Sequence, residues 1–290
     1  MKVCGFTIVR NAIKYSYPVV ESIKSILPIC DKVVVAVGNS DDGTLELIKS
    51  IHPDKITIIE TVWDDTLRAG GQVLAVETNK ALDAIAEDFD WCFYIQADEV
   101  VHEKYLPIIR NEMERWLNHP KVEGLLFKYL HFWGTFDFVG VSRKWYRREI
   151  RIVRNDKKIR SFRDAQGFRK EDRKLNVKLI DAYVYHYGWV RPPEVIKNKM
   201  RSFHALYHSD TALEEKVTEV ADFDYSEIDA VKRFNDTHPK IMGDLVKNLN
   251  WHVQIDESKI KFNFKGYILF WIEKIFGYRL FEYKNYRIIP

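Results

Sequence analysis

The chain has 290 residues, 46% of them hydrophobic and 30% charged, with 13 Gly and 9 Pro, a make-up that excludes the disordered and fibrous classes. That length can bury a full core, as one large domain or as a domain with an appendage. The net charge of +3 is too small for a dedicated nucleic-acid protein, and no stretch approaches the ~20 apolar residues that span a bilayer.

Met1 to Phe6 carries one charge before a short apolar run that ends at Arg10, which predicts a buried strand, Val3–Val9, and not a signal peptide. There follow a helix through Val19–Leu27, strand Val33–Val37, helix Leu45–Ile51, strand Ile56–Ile59, helix Val73–Ala86, strand Trp91–Ile95, helix Tyr105–Leu117 and strand Gly124–Tyr129. Val/Ile runs that alternate with helices predict a parallel sheet covered on both faces, with ligands at the carboxyl ends of its strands. Cys4, Cys30 and Cys92 sit in or beside these apolar runs as small hydrophobes, which points to a reducing, cytoplasmic setting.

After Tyr129 comes an aromatic segment, His131 to Phe138, and then a basic one. From Arg143 to Lys174 there are 14 Lys/Arg against 5 Asp/Glu, a surface for a phosphate-bearing ligand or simply a solvated face. Both segments are expected to extend the sheet as β-structure. Strand Leu179–His186 follows, and Pro192-Pro193 suits the start of a helix over Val195 to His208. Residues 210–256 are of mixed charge, helical or irregular. In the aromatic tail, Phe262–Ile289, the stretch Gly266 to Phe276 is a helix that either closes the core or lies in a membrane interface as a peripheral contact.

Three segments can carry chemistry. The first strand-to-helix turn, Gly38-Asn39-Ser40-Asp41-Asp42-Gly43-Thr44, stands where such a sheet receives a nucleotide; Asn39 could bond a base or ribose, or the turn could merely cap the helix through Asp42 or Thr44. Strand Trp91–Ile95 runs into Gln96-Ala97-Asp98-Glu99, and a carboxylate there is placed to hold Mg²⁺ or Mn²⁺ against a diphosphate, although paired acids also serve as helix caps. In the alternating run Tyr183 to Trp189, His186 shares a face with Val184 and Gly188, either as a structural histidine or as a partner that completes a carboxylate metal site.

Taken in order, these motifs resemble the family-2-like GT-A glycosyltransferases of bacteria over about residues 3–190. The resemblance rests on Ile8-Val9-Arg10-Asn11, on Ser40-Asp41-Asp42-Gly43-Thr44, on Asn79-Lys80-Ala81-Leu82, and on Gln96-Ala97-Asp98-Glu99 in place of the family's Asp-x-Asp-Glu. It implies a Rossmann-like α/β fold, a mixed sheet flanked by helices, over 1–190; residues 191–290 are expected as a mainly helical, aromatic extension that the resemblance does not match beyond its general look. It also implies a nucleoside-diphosphate sugar as donor, bound by Val9, Arg10, Asn11, Gly38, Asn39, Asp42, Asn79, Gln96 and Ala97, with Mg²⁺ or Mn²⁺ held by Asp98 and His186. Gln96, being neutral, offers only hydrogen bonds where relatives carry a second carboxylate. The family's His-Glu pair after an Arg-x-x-Arg strand is missing beyond Arg151-Ile152-Val153-Arg154, which leaves Asp164 as general base with Glu99 as its rival.

The implied reaction is inverting transfer of the sugar to a glycan or to a lipid-linked or phosphorylated acceptor, with Arg147 or Arg151 engaging the acceptor's charge. Two other readings stand beside it. A nucleotidyltransferase would carry a Gly-rich basic loop after the first strand, and Arg10-Asn11-Ala12-Ile13-Lys14 has no glycine. A catalytically silent sugar-nucleotide or glycan-binding module is favoured by Gln96 and by the missing base pair.

Overall fold

The computed structural model describes residues 1–67, 69–205, 223–258 and 260–290. Its first half follows the apolar rhythm closely: β1 (Val3–Val9), α1 (Val19–Ile26), β2 (Lys32–Gly38), α2 (Thr44–Lys49), β3 (Ile56–Thr61), α3 (Gln72–Asp83), β4 (Trp91–Tyr94), β5 (Glu99–Val101), α4 (Leu106–Trp116) and β6 (Gly124–Trp133). In α1, Val19, Ile23 and Ile26 recur at helical spacing and are fully buried against the sheet. The later strands are β7 (Phe138–Gly140), β8 (Arg148–Arg154), β9 (Ile159–Phe162), β10 (Gly167–Lys170) and β11 (Arg173–Trp189), and the last parts are α5 (Pro193–Ala205), β12 (Val231–Arg233), α6 (Gly243–Lys247), α7 (Phe264–Phe276) and β13 (Tyr286–Ile288).

The sheet runs in the order β3-β2-β1-β4-β8-β6-β11-β10-β9. Strands β1 to β4 are parallel, as their Val/Ile runs require, but β8 enters antiparallel between β4 and β6. The purely parallel sheet expected from periodicity therefore gives way to a mixed one flanked by helices, the arrangement the family resemblance implied. The physical reason is that the basic stretch folds as hairpin strands that return to the sheet without crossover helices. Strand β11 is longer than its alternating core suggested, and it bulges between Leu179 and Tyr183 where it runs beside β6.

After Trp189 the chain stays tied to this sheet: β12 pairs with β7 and β13 with β11. Residues 206–208, at the end of the helix expected over 195–208, and residues 210–222 lie outside the described residues. The remainder of 223–256 is largely irregular, with a short strand and a short helix. Helix α7 forms where expected, yet none of its side chains is buried, so it does not close the core.

Candidate active site

The chain leaves β4 at Tyr94, turns through Gln96 and Ala97, and re-enters the sheet as β5. Ser22 Oγ in α1 donates to Gln96 O at 2.8 Å and Val101 N donates to Ser25 Oγ at 3.1 Å, so the helix clamps the turn at both ends. Glu99 is then paired opposite His186 in β11, and Tyr187 N donates to Asp98 O at 2.8 Å. That register sets Asp98 Oδ1 3.7 Å from His186 Nε2. Residues 88 positions apart meet because one short strand is held in one register.

A second histidine determines what His186 presents. His131 Nε2 lies 2.8 Å from the Tyr146 carbonyl, which can only accept, so Nε2 carries the proton. In the neutral ring Nδ1 is then an acceptor, and it lies 3.1 Å from His186 Nδ1, which must donate. The lone pair of His186 is left on Nε2, aimed at the Asp98 carboxylate. Burial pushes His186 down to about 4, against the pull of Asp98, and burial reinforced by His186 pushes His131 down to about 3, so both rings are neutral at ordinary pH.

Two acceptors that converge without a proton between them call for a cation. Lys199 Nζ lies 3.2 Å from Asp98 Oδ2 and 3.0 Å from Gly188 O, and Arg191 Nη2, otherwise without a hydrogen-bond partner, is 3.6 Å from the same carboxylate oxygen. Burial alone would raise the Asp98 carboxyl, but Lys199, then His186 and Arg191, outweigh it and hold Asp98 well below the usual carboxylate range. Burial, aided by Arg191, brings the Lys199 ammonium down to about 8 in spite of Asp98. Gly188 leaves the space open: a methyl group there would collide with His186 Nε2 and stand 3.0 Å from Asp98 Oδ2.

These groups form one wall of a cleft of about 410 Å³ at the carboxyl ends of β1 and β4. Val9, Arg10, Gln96, Ala97, Asp98, Asp164 and His186 all line it, together with Tyr17, Trp63, Tyr94, Tyr146, Gln166, Trp189 and Lys199, which sequence reasoning did not single out. Arg10 is braced on Asp65 at 2.7 Å and on Asn39 O at 3.2 Å, with its guanidinium 5.6 Å from the Trp63 ring centre. Trp63 closes over the end of β2, and Gly38 is required there because any side chain would strike the indole. Asp164 sits on the β9–β10 turn between Arg163 and Ala165, which hold left-handed φ of 56° and 60°.

The other expected residues lie outside this lining. Asn11 Oδ1 accepts from Asp41 N at 3.1 Å, Asp42 accepts from Lys14 N at 2.7 Å, and Ala12 N donates to Thr44 Oγ1 at 2.8 Å, so the Ser40–Thr44 turn locks the loops after β1 and β2 together. Asn39 Oδ1 accepts from Trp63 N, and Asn79 Oδ1 accepts from Ser161 N at 2.8 Å, tying α3 to β9. Glu99 is fully enclosed, bonded by Arg151 at 2.7 and 2.8 Å and by Tyr129 Oη at 2.9 Å. Arg151 also donates to Gln166 O at 2.9 Å and so supports the turn that carries Asp164. Arg147 is bonded to Glu282 at 2.8 and 2.9 Å and faces a second cavity of about 360 Å³, lined also by Lys128, Arg148, Lys232 and Arg279. Tyr146 borders both cavities.

No family model and no curated protein sequence matches this chain. Among solved structures it is similar to residues 1–349 of S. aureus TarS, at 14% identity and a TM-score of 0.40, over 77% of this chain and 71% of that one. The same fragment in complex with UDP gives 14% identity and a TM-score of 0.39 over the same shares. A glucosyl-3-phosphoglycerate synthase from Mycobacterium tuberculosis, crystallised with Mn²⁺, UDP and phosphoglyceric acid, gives 18% identity and a TM-score of 0.30, over 45% of this chain and 43% of that one. None of these likenesses assigns a substrate to this chain.

Proposed function

We propose that the chain is a glycosyltransferase that takes a nucleoside-diphosphate sugar in the 410 Å³ cleft and passes the sugar, with inversion, to a hydroxyl of a glycan or lipid-linked acceptor. The observation that carries this reading is the meeting of Asp98, the His186 lone pair and Lys199 at the foot of an aromatic slot. Trp63 and the Arg10 guanidinium offer flat, polarisable surfaces for a base, and the cationic end suits a diphosphate.

The residues present fit a divalent cation. Asp98 and the Nε2 of a neutral His186 are hard and borderline donors respectively, suited to Mg²⁺ or Mn²⁺. Among the described residues there is no group of three or more His, Cys, Asp or Glu that could hold a metal, so Asp98 and His186 would be the protein's two ligands and the donor's diphosphate would complete the binding. The cation, when bound, would offset charge on the leaving diphosphate. Lys199 Nζ, 3.2 Å from Asp98 Oδ2, would stand beside the same diphosphate and share its charge.

Asp164 is the base in this scheme. Its carboxylate takes the acceptor hydroxyl proton, the acceptor oxygen bonds to the anomeric carbon, and the bond from that carbon to the diphosphate breaks with its electron pair leaving on phosphate. Positioning and electrostatics would supply most of the rate. The arginines Arg147 and Arg151 are engaged within the protein, so the acceptor's charge would meet Arg148 or Lys232 in the second cavity instead.

The test is release of nucleoside diphosphate from a panel of uridine, guanosine, thymidine and cytidine diphospho-sugars, with Mn²⁺, with Mg²⁺ and with chelator. Metal-stimulated release from at least one donor is expected. Tight donor binding with no release under any condition would favour the silent binding module instead.

A further inference from the structure

We propose that α7 is a membrane-surface helix that lays its outer face into an anionic lipid bilayer. This goes beyond the transferase reading and does not depend on it. The helix spans Phe264–Phe276 and buries none of its 13 side chains. Phe264, Ile268, Trp271 and Ile275 recur at spacings of three and four residues, forming one outward stripe, with Phe264 83% and Ile275 69% exposed. Phe276 ends the helix, and Tyr278, Phe281 and Tyr283 prolong the apolar surface past it.

The charges are sorted with respect to that stripe. Residues 260–290 contain two acids, Glu273 and Glu282, and both point inward. Glu273 accepts from Arg143 at 3.0 Å and from Arg279 at 2.7 Å, and Glu282 accepts from Arg147. The exposed charged residues of the same stretch are Lys261, Lys265, Lys274 and Arg287, all basic. Lys274 Nζ lies 4.7 Å from the Trp271 ring centre, with its stem along the apolar stripe and its charge beside it. Within residues 260–290 the exposed charges beside these apolar and aromatic side chains are all basic, Lys261 being paired with Glu227 at 3.0 Å, which matches the acyl boundary and the anionic headgroups of a bilayer at once.

A second copy of the chain fits this surface less well. A two-fold contact would set the patch against itself and bring Lys265 and Lys274 toward their own counterparts. Thirteen residues rise only ~20 Å, short of the ~30 Å hydrocarbon core, and among the described residues no helix is long and apolar enough to cross a membrane. The helix therefore lies in the plane of the interface. Because Glu273 is bonded to Arg279 and paired with Arg147, two residues that line the second cavity, the helix and that cavity share an edge.

The test is co-sedimentation of the full chain with vesicles of phosphatidylcholine alone and of phosphatidylcholine with phosphatidylglycerol, alongside analytical ultracentrifugation without lipid. Wild type should bind the anionic vesicles at least about tenfold more tightly than the neutral ones, and added salt should weaken it. Trp271→Glu with Ile275→Glu should abolish vesicle binding with unchanged thermal unfolding, and Lys265→Glu with Lys274→Glu should remove the preference for anionic lipid. Wild type that stays in the supernatant with every vesicle, or a Trp271→Glu/Ile275→Glu variant that binds as well as wild type, overturns the proposal. So does a lipid-free dimer that the same double variant dissolves.

Discussion

His131 Nδ1 stands 3.1 Å from His186 Nδ1, and this contact leaves the lone pair of His186 on the nitrogen that faces Asp98. Histidine ligands commonly have their other nitrogen fixed in this way, by a carbonyl or carboxylate. Here the fixing group is a second histidine, itself pinned by the Tyr146 carbonyl at 2.8 Å.

Removing that acceptor should loosen the site without touching it. His131→Ala is expected to weaken Mn²⁺ binding about 10- to 100-fold, the usual effect of losing an outer hydrogen-bond partner, while His131→Asn, which keeps an acceptor oxygen, should lose less. Isothermal titration with Mn²⁺ reads both. The same titration has a pH signature: with His186 at about 4, cation binding should persist at pH ~5, whereas a ligand of ordinary histidine pKa would already be mostly protonated there. Equal losses in both variants would mean that His131 serves packing alone.

Gly188→Ala tests the space between Asp98 and His186, the two proposed ligands. The backbone at 188 is in no left-handed conformation, so alanine is tolerated by the main chain, but its methyl would enter the gap beside His186 Nε2 and Asp98 Oδ2. Loss of Mn²⁺ binding and of donor turnover is expected, together with a destabilisation of about 1–3 kcal/mol as the buried His186 ring is pushed aside. Unaltered Mn²⁺ affinity in this variant would place the cation elsewhere.

Stability should carry the mark of a buried carboxyl. Burial pushes Glu149 from an ordinary 4.5 up to about 8, against the pull of Arg151. Between those values the folded chain keeps a proton that the unfolded chain releases, so this group lowers stability as pH rises through the window. Glu149→Gln should therefore raise the melting temperature over wild type by a margin that grows from pH ~6 to pH ~8.5, at a cost avoided of on the order of 1.4 kcal/mol per pKa unit. A margin that shrinks with pH over that range would contradict the assignment.

Much of this arrangement is legible in the sequence because it is local. The strands β1, β2 and β4 are apolar runs with buried residues on both faces, and Asp98 is marked by its place at the end of such a run. What the sequence hides is the work done by register and by distant ion pairs. Glu99 has the look of a catalytic acid, yet the pairing of β5 with β11 turns it inward to Arg151. Asn11 and Asp42 have the look of nucleotide ligands, but each accepts from a backbone amide of the other's loop, about thirty residues away, and so ties the loops after β1 and β2 together. Lys199 and Arg191 had no local signal at all: each reaches Asp98 across about ninety residues or more of chain, Arg191 from the segment before α5 and Lys199 from within it. Trp63 was equally silent, since its only mark is the missing side chain of Gly38 beneath it.

The most direct measurement is metal-dependent turnover of the preferred donor sugar nucleotide by Asp98→Asn, with Mn²⁺ affinity read in parallel. Asparagine keeps the shape and removes the charge that Lys199, Arg191 and His186 surround. A loss of turnover of about 10³-fold or more, with Mn²⁺ affinity lost and the fold intact by circular dichroism, is the predicted result. Turnover within a few-fold of wild type, still stimulated by Mn²⁺, would contradict the placement of the donor site at Asp98.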